Sequence, residues 1–191
     1  MLSPEVRTDV LTGRQVIIAA ARAARPVHVA VSAFSEAPDD DPFLEGHEHN
    51  TPHERLALRT TQSQADKPGW LLRVVPNLYP AVAERQMANG EWGTGNSHDE
   101  AFPVAAAGGI HEVVIECPDH RTRLAELSVV DVARTFLAWQ MRLKQAHANA
   151  TLTRLQAVSV FRNEGKYAFL YFFVSEHFMC FYNLIDEDTF F

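Results

Sequence analysis

Apolar residues in this chain come in short bursts separated by Gly, Pro and charged residues, a pattern that predicts strands with one long helix. The densest burst lies in residues 108–120, GGIHEVVIECPDH, where a Gly pair opens a β-branched run (Val113, Val114, Ile115) and Pro118 closes it. That composition predicts a buried strand leaving a turn. A second apolar run, WLLRVV over 70–75, is cut by Pro76 and predicts another strand, as do Val16–Ile17–Ile18 after a turn at Thr12-Gly13 and the alternating LQAVSVF over 155–161. The helical period is clearest after Ser128, which with Asp131 three residues on resembles a capping box. Val129, Val132, Phe136, Trp139 and Leu143 step by three or four into one apolar stripe, and Arg134, Gln140, Lys144 and Gln145 suit the wet side. Residues 87–107, rich in Gly, Asn and Ala, read as a loop. Residues 169–174, FLYFFV, read as a buried strand that would be an aggregation hazard if exposed.

Length and composition place the chain among soluble globular proteins: 191 residues, 47% hydrophobic, 21% charged, enough to bury a core. The net charge of −7 argues against a general nucleic-acid binder but leaves room for a small phosphate-bearing ligand held by a few arginines. Two cysteines, Cys117 and Cys180, form neither a disulfide framework nor a CxxC pair, which points to a reducing compartment. The first ten residues lack the apolar stretch of a signal peptide, and no run approaches the ~20 apolar residues of a membrane span. Together these predict a cytoplasmic protein without a membrane anchor. The tail breaks with the rest: seven of the 12 Phe follow Ala168, with no Ala, Gly, Pro, Lys or Arg among them. Residues 1–168 therefore read as one domain and 169–191 as a divergent tail, such as a shifted or prematurely ended reading frame would give.

Candidate chemistry sits at the ends of the apolar bursts. His111 and His120 bracket the 108–120 strand, although the plainer reading of either alone is a hydrogen-bonded core histidine. Arg22 and Arg25, three apart in the loop after a strand, offer guanidinium forks suited to phosphate; the plainer reading is a solvated basic turn. Asn77 sits in a turn between Pro76 and Pro80, where its amide can bond its own backbone or a ligand. Residues 27–54 contain no Lys or Arg but a run of three Asp together with His47, His49 and His53, and their prolines forbid a continuous helix. This long loop reads either as a solvated acidic surface or as a metal-binding loop on Asp41, His47 and His49, with no zinc spacing to favour the metal.

Taken in order, LTGRQVIIAAARAARP, DPFLEGHEHNTPHE, WLLRVVPNLYPAV, GGIHEVVIECPDH and VFRNEGKYA resemble the N-terminal half of galactose-1-phosphate uridylyltransferases, nucleotidyltransferases of the histidine-triad superfamily, over residues 7–168. The resemblance implies an α+β fold, a histidine-triad-like antiparallel sheet with flanking helices. It implies a two-step reaction in which a histidine takes the uridylyl group from UDP-glucose, releases a hexose 1-phosphate and passes the group to a second one. UDP-sugar and hexose 1-phosphate are the implied partners, a homodimer the implied assembly and zinc the implied metal. Residue by residue, Arg22, Arg25 and Asn77 match the nucleotide site, Phe161 and Asn163 match the F-x-N turn before the catalytic loop, and His120 matches a zinc ligand.

The departures carry equal weight. The positions of the family's zinc cysteines hold Asp41, which can ligate a metal, and Leu44, which cannot. The G-x-S…H-P-H-x-Q block, which supplies the nucleophilic histidine, does not follow GKYA; the chain reads FLYFFVSEHFMC there, with His177 the one histidine nearby and a weak candidate. Three readings result: a uridylyltransferase-like enzyme with its nucleophile lost, a related ADP-sugar phosphorylase-like protein, or a non-catalytic nucleotide- or sugar-phosphate-binding module.

Overall fold

The computed structural model describes residues 3–24, 41–60, 62–84, 104–120, 123–148, 157–162 and 177–182, with the backbone alone for 157 and 177–182. The β-branched run at 113–115 lies in β6 (Gly109–Ile115), the middle of a five-stranded antiparallel sheet. On one side β6 pairs with β4 (Trp70–Pro76), which in turn pairs with β3 (Leu56–Arg59). On the other it pairs with β8 (His177–Tyr182), and β8 pairs with β7 (Ala157–Arg162) at the edge. Six consecutive residues of β6, from Gly109 to Val114, are in register with Tyr182 through His177. A segment of the Phe-rich tail is thus threaded between two strands of the main domain; the strand expected at 169–174 lies outside the described residues.

Strand period 2 puts alternate β6 residues on opposite faces. Val114, with Leu72 and Val74 of β4, faces the helix α1 (Val129–Ala148), and all three are fully buried, each contributing roughly 1.5–3 kcal/mol in apolar transfer. Val113 and Ile115 face the other way and pack with Trp70, Val75, Phe43 and Phe161. A second sheet, ordered β2-β1-β5, joins β1 (Glu5–Thr8), β2 (Gln15–Ile18) and β5 (Val104–Ala106) around Val6, which packs with Val82, Ala107 and Ile17. The hairpin between β1 and β2 turns at the predicted place, with Gly13 at φ 70° and its N–H donating to Asp9 O.

Helix α1 begins as its sequence predicts. Ser128 Oγ accepts the Asp131 N–H at 3.1 Å and donates to Asp131 Oδ2 at 2.6 Å. Its inward face is not the stripe of large residues. Thr135, Ala138 and Ala146 are the buried positions, and Phe136 is 56% and Val129 87% exposed. Small side chains win because they let the helix backbone sit close on the sheet. Of the predicted stripe, Trp139 packs on the core, with Phe136 against its ring edge at 5.0 Å. The loop reading of 87–107 is also corrected at its end, where 104–106 are the strand β5; residues 87–103 lie outside the described residues.

Candidate functional site

The turn after β4 is where sequence candidates converge. Of residues 77–81 only Pro80 has no N–H, and three of the other four N–H groups have acceptors in the turn or on His111. Asn77 N–H donates to His111 O at 2.8 Å, Tyr79 N–H to Asn77 Oδ1 at 2.8 Å, and Ala81 N–H to His111 Nδ1 at 2.8 Å. Asn77 Nδ2 lies 3.2 Å from His111 Nε2. Arg22, 57 residues earlier in the chain, donates from Nη1 to Tyr79 O at 2.6 Å. Arg22 sits in a single turn of 3-10 helix (Ala20–Ala24) that follows β2, which brings its half-buried side chain to this turn. The structure therefore joins Arg22, Asn77 and His111 around one five-residue turn at the end of the central strands.

Other candidates lie elsewhere. Phe161, near the end of β7, packs on the sheet face opposite α1 with Val113 and Ile115. Next to it, Arg162 pairs with the buried Glu116 at 3.3 Å. Arg25 and Asn163 lie outside the described residues. His177 opens β8, in register with Val114 on one side and Arg162 on the other.

The zinc set implied by the sequence resemblance does not fit the residues present. Leu44 has no donor atom. Asp41 Oδ1 accepts the Phe43 N–H at 2.9 Å, and Asp41 Oδ2 lies 3.0 Å from His120 Nδ1. His47 Nδ1 lies 2.6 Å from the Asp41 backbone carbonyl, and the Cys117 thiol donates to Asp119 O at 3.1 Å. Tetrahedral zinc needs four ligands aimed at one point; here the Asp41 and His120 side chains bond each other, while His47 and Cys117 are turned to backbone carbonyls. Among the described residues no three His, Cys, Asp or Glu are grouped to hold a metal ion. Of the residues in the metal-loop reading, His47 turns to the carbonyl of Asp41 and lies edge-on to His49, while the Asp41 carboxylate turns to His120. Burial pushes the Cys117 thiol up to about 11, reinforced by Asp119, Glu116 and Asp131, against the opposing backbone bond at Asp119.

The acidic loop is instead braced by residues that pattern reading passed over. Arg73, 1% exposed in the middle of β4, bonds Glu54 at 3.1 Å, Thr51 at 3.2 Å and Asp66 at 3.0 Å, and lies 5.8 Å over the Trp70 ring. Glu48 accepts Trp70 Nε1–H at 2.6 Å and Gly46 N–H at 3.1 Å. The available signal was a single charge inside the apolar run WLLRVV, since a buried arginine must find acceptors.

Comparison with known proteins agrees with this architecture. The family model for galactose-1-phosphate uridyl transferase, N-terminal domain, matches residues 1–170. An ADP-glucose phosphorylase of Arabidopsis thaliana is 31% identical over 169 residues, covering 85% of this chain and 44% of that protein. A crystal structure of an ADP-glucose phosphorylase from the same plant, with bound ADP-glucose, superposes with TM-score 0.56 at 29% identity, over 96% of this chain and 50% of that one. A uridylyltransferase structure shares the fold with TM-score 0.59 at 19% identity, over 95% of this chain and 46% of that one. The chain thus spans about half the length of the relatives it matches. With an antiparallel sheet ordered around β6 and a family match over 170 of its 191 residues, the chain belongs to the galactose-1-phosphate uridyl transferase family through that family's N-terminal domain.

Proposed function

We propose that this 191-residue chain binds a nucleotide sugar at the Arg22–Asn77 turn and does not turn it over. The observation that carries the reading is the Arg22 guanidinium bonded to Tyr79 O of the turn that holds Asn77. A guanidinium so oriented beside a carboxamide suits a diphosphate, with Arg25 three residues on as the second phosphate donor and Asn163 on the nucleotide side. Nucleotidyl transfer by the family route needs a histidine to attack the α-phosphorus, displace the sugar 1-phosphate and hold the nucleotidyl group until a second hexose 1-phosphate takes it. The sequence after Ala168 lacks the block that supplies this histidine, and His177 has neither the second histidine nor the glutamine beside it. The cysteine usage supports a reducing, cytoplasmic setting.

The base is adenine or uracil. Similarity to proteins named for ADP-glucose supports the ADP-sugar, and the uridylyltransferase resemblance of the motifs supports the UDP-sugar. Calorimetric titration with ADP-glucose and with UDP-glucose decides between them. Arg22→Ala and Arg25→Ala are each expected to weaken binding by about tenfold or more. Incubation with a nucleotide-labelled sugar nucleotide is expected to leave no acid-labile adduct. An adduct lost in His177→Ala, or many turnovers of transfer to a hexose 1-phosphate, would overturn the non-catalytic reading; an unlabelled chain that binds neither sugar nucleotide would overturn the binding site.

A further inference from the structure

We propose that His111 is a positioning residue for the nucleotide-sugar site: its imidazole and carbonyl hold the 77–81 turn in the shape that presents Asn77 and orients Arg22. The inference rests on the binding reading above and names a residue that reading does not use.

His111 lies on β6, 5% exposed, two residues after Gly109. It grips the turn at both ends. Its carbonyl accepts the N–H of Asn77, the first residue, and its ring Nδ1 accepts the N–H of Ala81, the last. Pro80 is the one residue of the five without an N–H, and of the other four the N–H groups of Asn77, Tyr79 and Ala81 are held by these two bonds and the Tyr79 bond to Asn77. Ala81 N–H requires a lone pair on Nδ1, so the neutral ring carries its hydrogen on Nε2, the nitrogen 3.2 Å from Asn77 Nδ2. Asn77 Oδ1 is taken by Tyr79, so Nε2 and Nδ2 both carry N–H bonds and make no hydrogen bond with each other; the ring acts on the turn through Nδ1. The Tyr79 carbonyl, fixed in the same turn, is the acceptor for Arg22. A strand in the sheet centre thus sets, through the carbonyl and ring of one residue, the relative placement of two residues 55 positions apart in sequence (77 less 22).

The test separates placement from bulk stability. His111→Phe keeps an aromatic ring and removes the Nδ1 acceptor; His111→Asn puts an amide oxygen close to the Nδ1 position and keeps it. Wild type and both variants are titrated with ADP-glucose and UDP-glucose, and backbone amide exchange is followed at Tyr79 and Ala81. His111→Phe is expected to weaken binding by about tenfold and to speed exchange at Ala81 ahead of the sheet core, while His111→Asn stays within about threefold of wild type. Equal binding by wild type and His111→Phe overturns the inference and leaves the binding reading intact. Loss of binding in both variants together with faster exchange throughout β4 and β6 also overturns it, because His111 would then be a core residue only. Wild-type chain that binds neither sugar nucleotide refutes the binding reading itself and is seen before any variant is compared.

Discussion

Asp41 and His120 meet across 79 residues of sequence, with 3.0 Å between Oδ2 and Nδ1 and only 13% and 18% of their side chains exposed. The pair ties the 41–47 segment to the loop after β6, the two segments that the sequence resemblance would join through zinc. With Leu44 in place of a ligand, hydrogen bonds do the joining: Asp41 to His120 and to Phe43, and Glu45 N–H to Pro118 O at 3.1 Å. Folding stability is therefore expected to be the same with and without a chelator, measured by thermal unfolding. Asp41→Ala is expected to cost about 1–2 kcal/mol in urea titration. The double variant Asp41→Cys, Leu44→Cys is expected to become zinc-stabilised; a chelator-induced fall in the wild-type midpoint would show that the native pair does hold metal.

The buried pair between Glu112 and Arg142 locks α1 to β6. Glu112 is fully buried, and Arg142 donates to both of its oxygens, from Nε at 2.8 Å and from Nη2 at 2.5 Å. Removing the arginine alone strands a carboxylate in the core, so Arg142→Met is expected to cost about 3–5 kcal/mol. Replacing both partners by apolar residues of similar size, Glu112→Leu with Arg142→Met, is expected to recover most of that loss. Denaturant unfolding of the two single variants and the double variant reads the coupling; additive losses would mean that the pair is not a unit.

Where the chain announces its own structure, local chemistry suffices. The β-branched run of β6, the proline that ends β4 and the serine that caps α1 act over a few residues, and each element falls where its pattern predicts. β1, β3 and β5 are three or four residues long and exist by pairing; Val104–Ala106 has little strand propensity of its own and is held by Glu5–Arg7. Similarly, no pattern of large residues reveals a helix face built from Thr135, Ala138 and Ala146. At the site, the proline-flanked turn at Asn77 and the Arg22 guanidinium were both visible as chemistry. Their meeting at Tyr79 O was not, because a contact over 57 residues is set by the sheet and not by either segment. His111 was visible as a titratable group at the head of a buried strand, and its role as the acceptor for Ala81 belongs to the tertiary structure.

The Cys117 thiol is expected to resist alkylation. Its pKa is raised to about 11, chiefly by burial, and its S–H donates to Asp119 O at 3.1 Å. Because the thiolate is the reactive species, at pH 8 roughly one part in a thousand would be ionised. In a Cys180→Ser background, iodoacetamide labelling of the native chain is expected to be slow at pH 8 and to reach the rate of a free thiol only after denaturation. Rapid native labelling would show that the loop at 117–120 opens readily.

Acid is expected to loosen the acidic loop before the sheet. Burial pushes the Glu48 carboxyl up, but the bonds from Trp70 Nε1 and Gly46 N and the charge of Arg73 outweigh it, so its pKa is lowered from 4.5. Asp66 behaves alike: burial raises it, while the bonds from His53, Glu54 N and Arg73 lower it from 3.8. A carboxyl with a depressed folded pKa contributes stability that is fully present above its unfolded value and is lost as pH falls through the folded value. The loss is therefore expected to begin near pH 5 and to deepen below pH 4 as both carboxylates take up protons. In Glu48→Gln the amide oxygen still accepts Trp70 Nε1–H but no longer titrates, so the variant starts less stable at pH 7 and loses less between pH 5 and 3. Urea unfolding at pH 7, 5, 4 and 3, followed by Trp70 fluorescence in a background with the other two tryptophans replaced, measures both slopes. Parallel pH profiles for wild type and Glu48→Gln would assign the acid sensitivity to Asp66 and the remaining carboxylates instead.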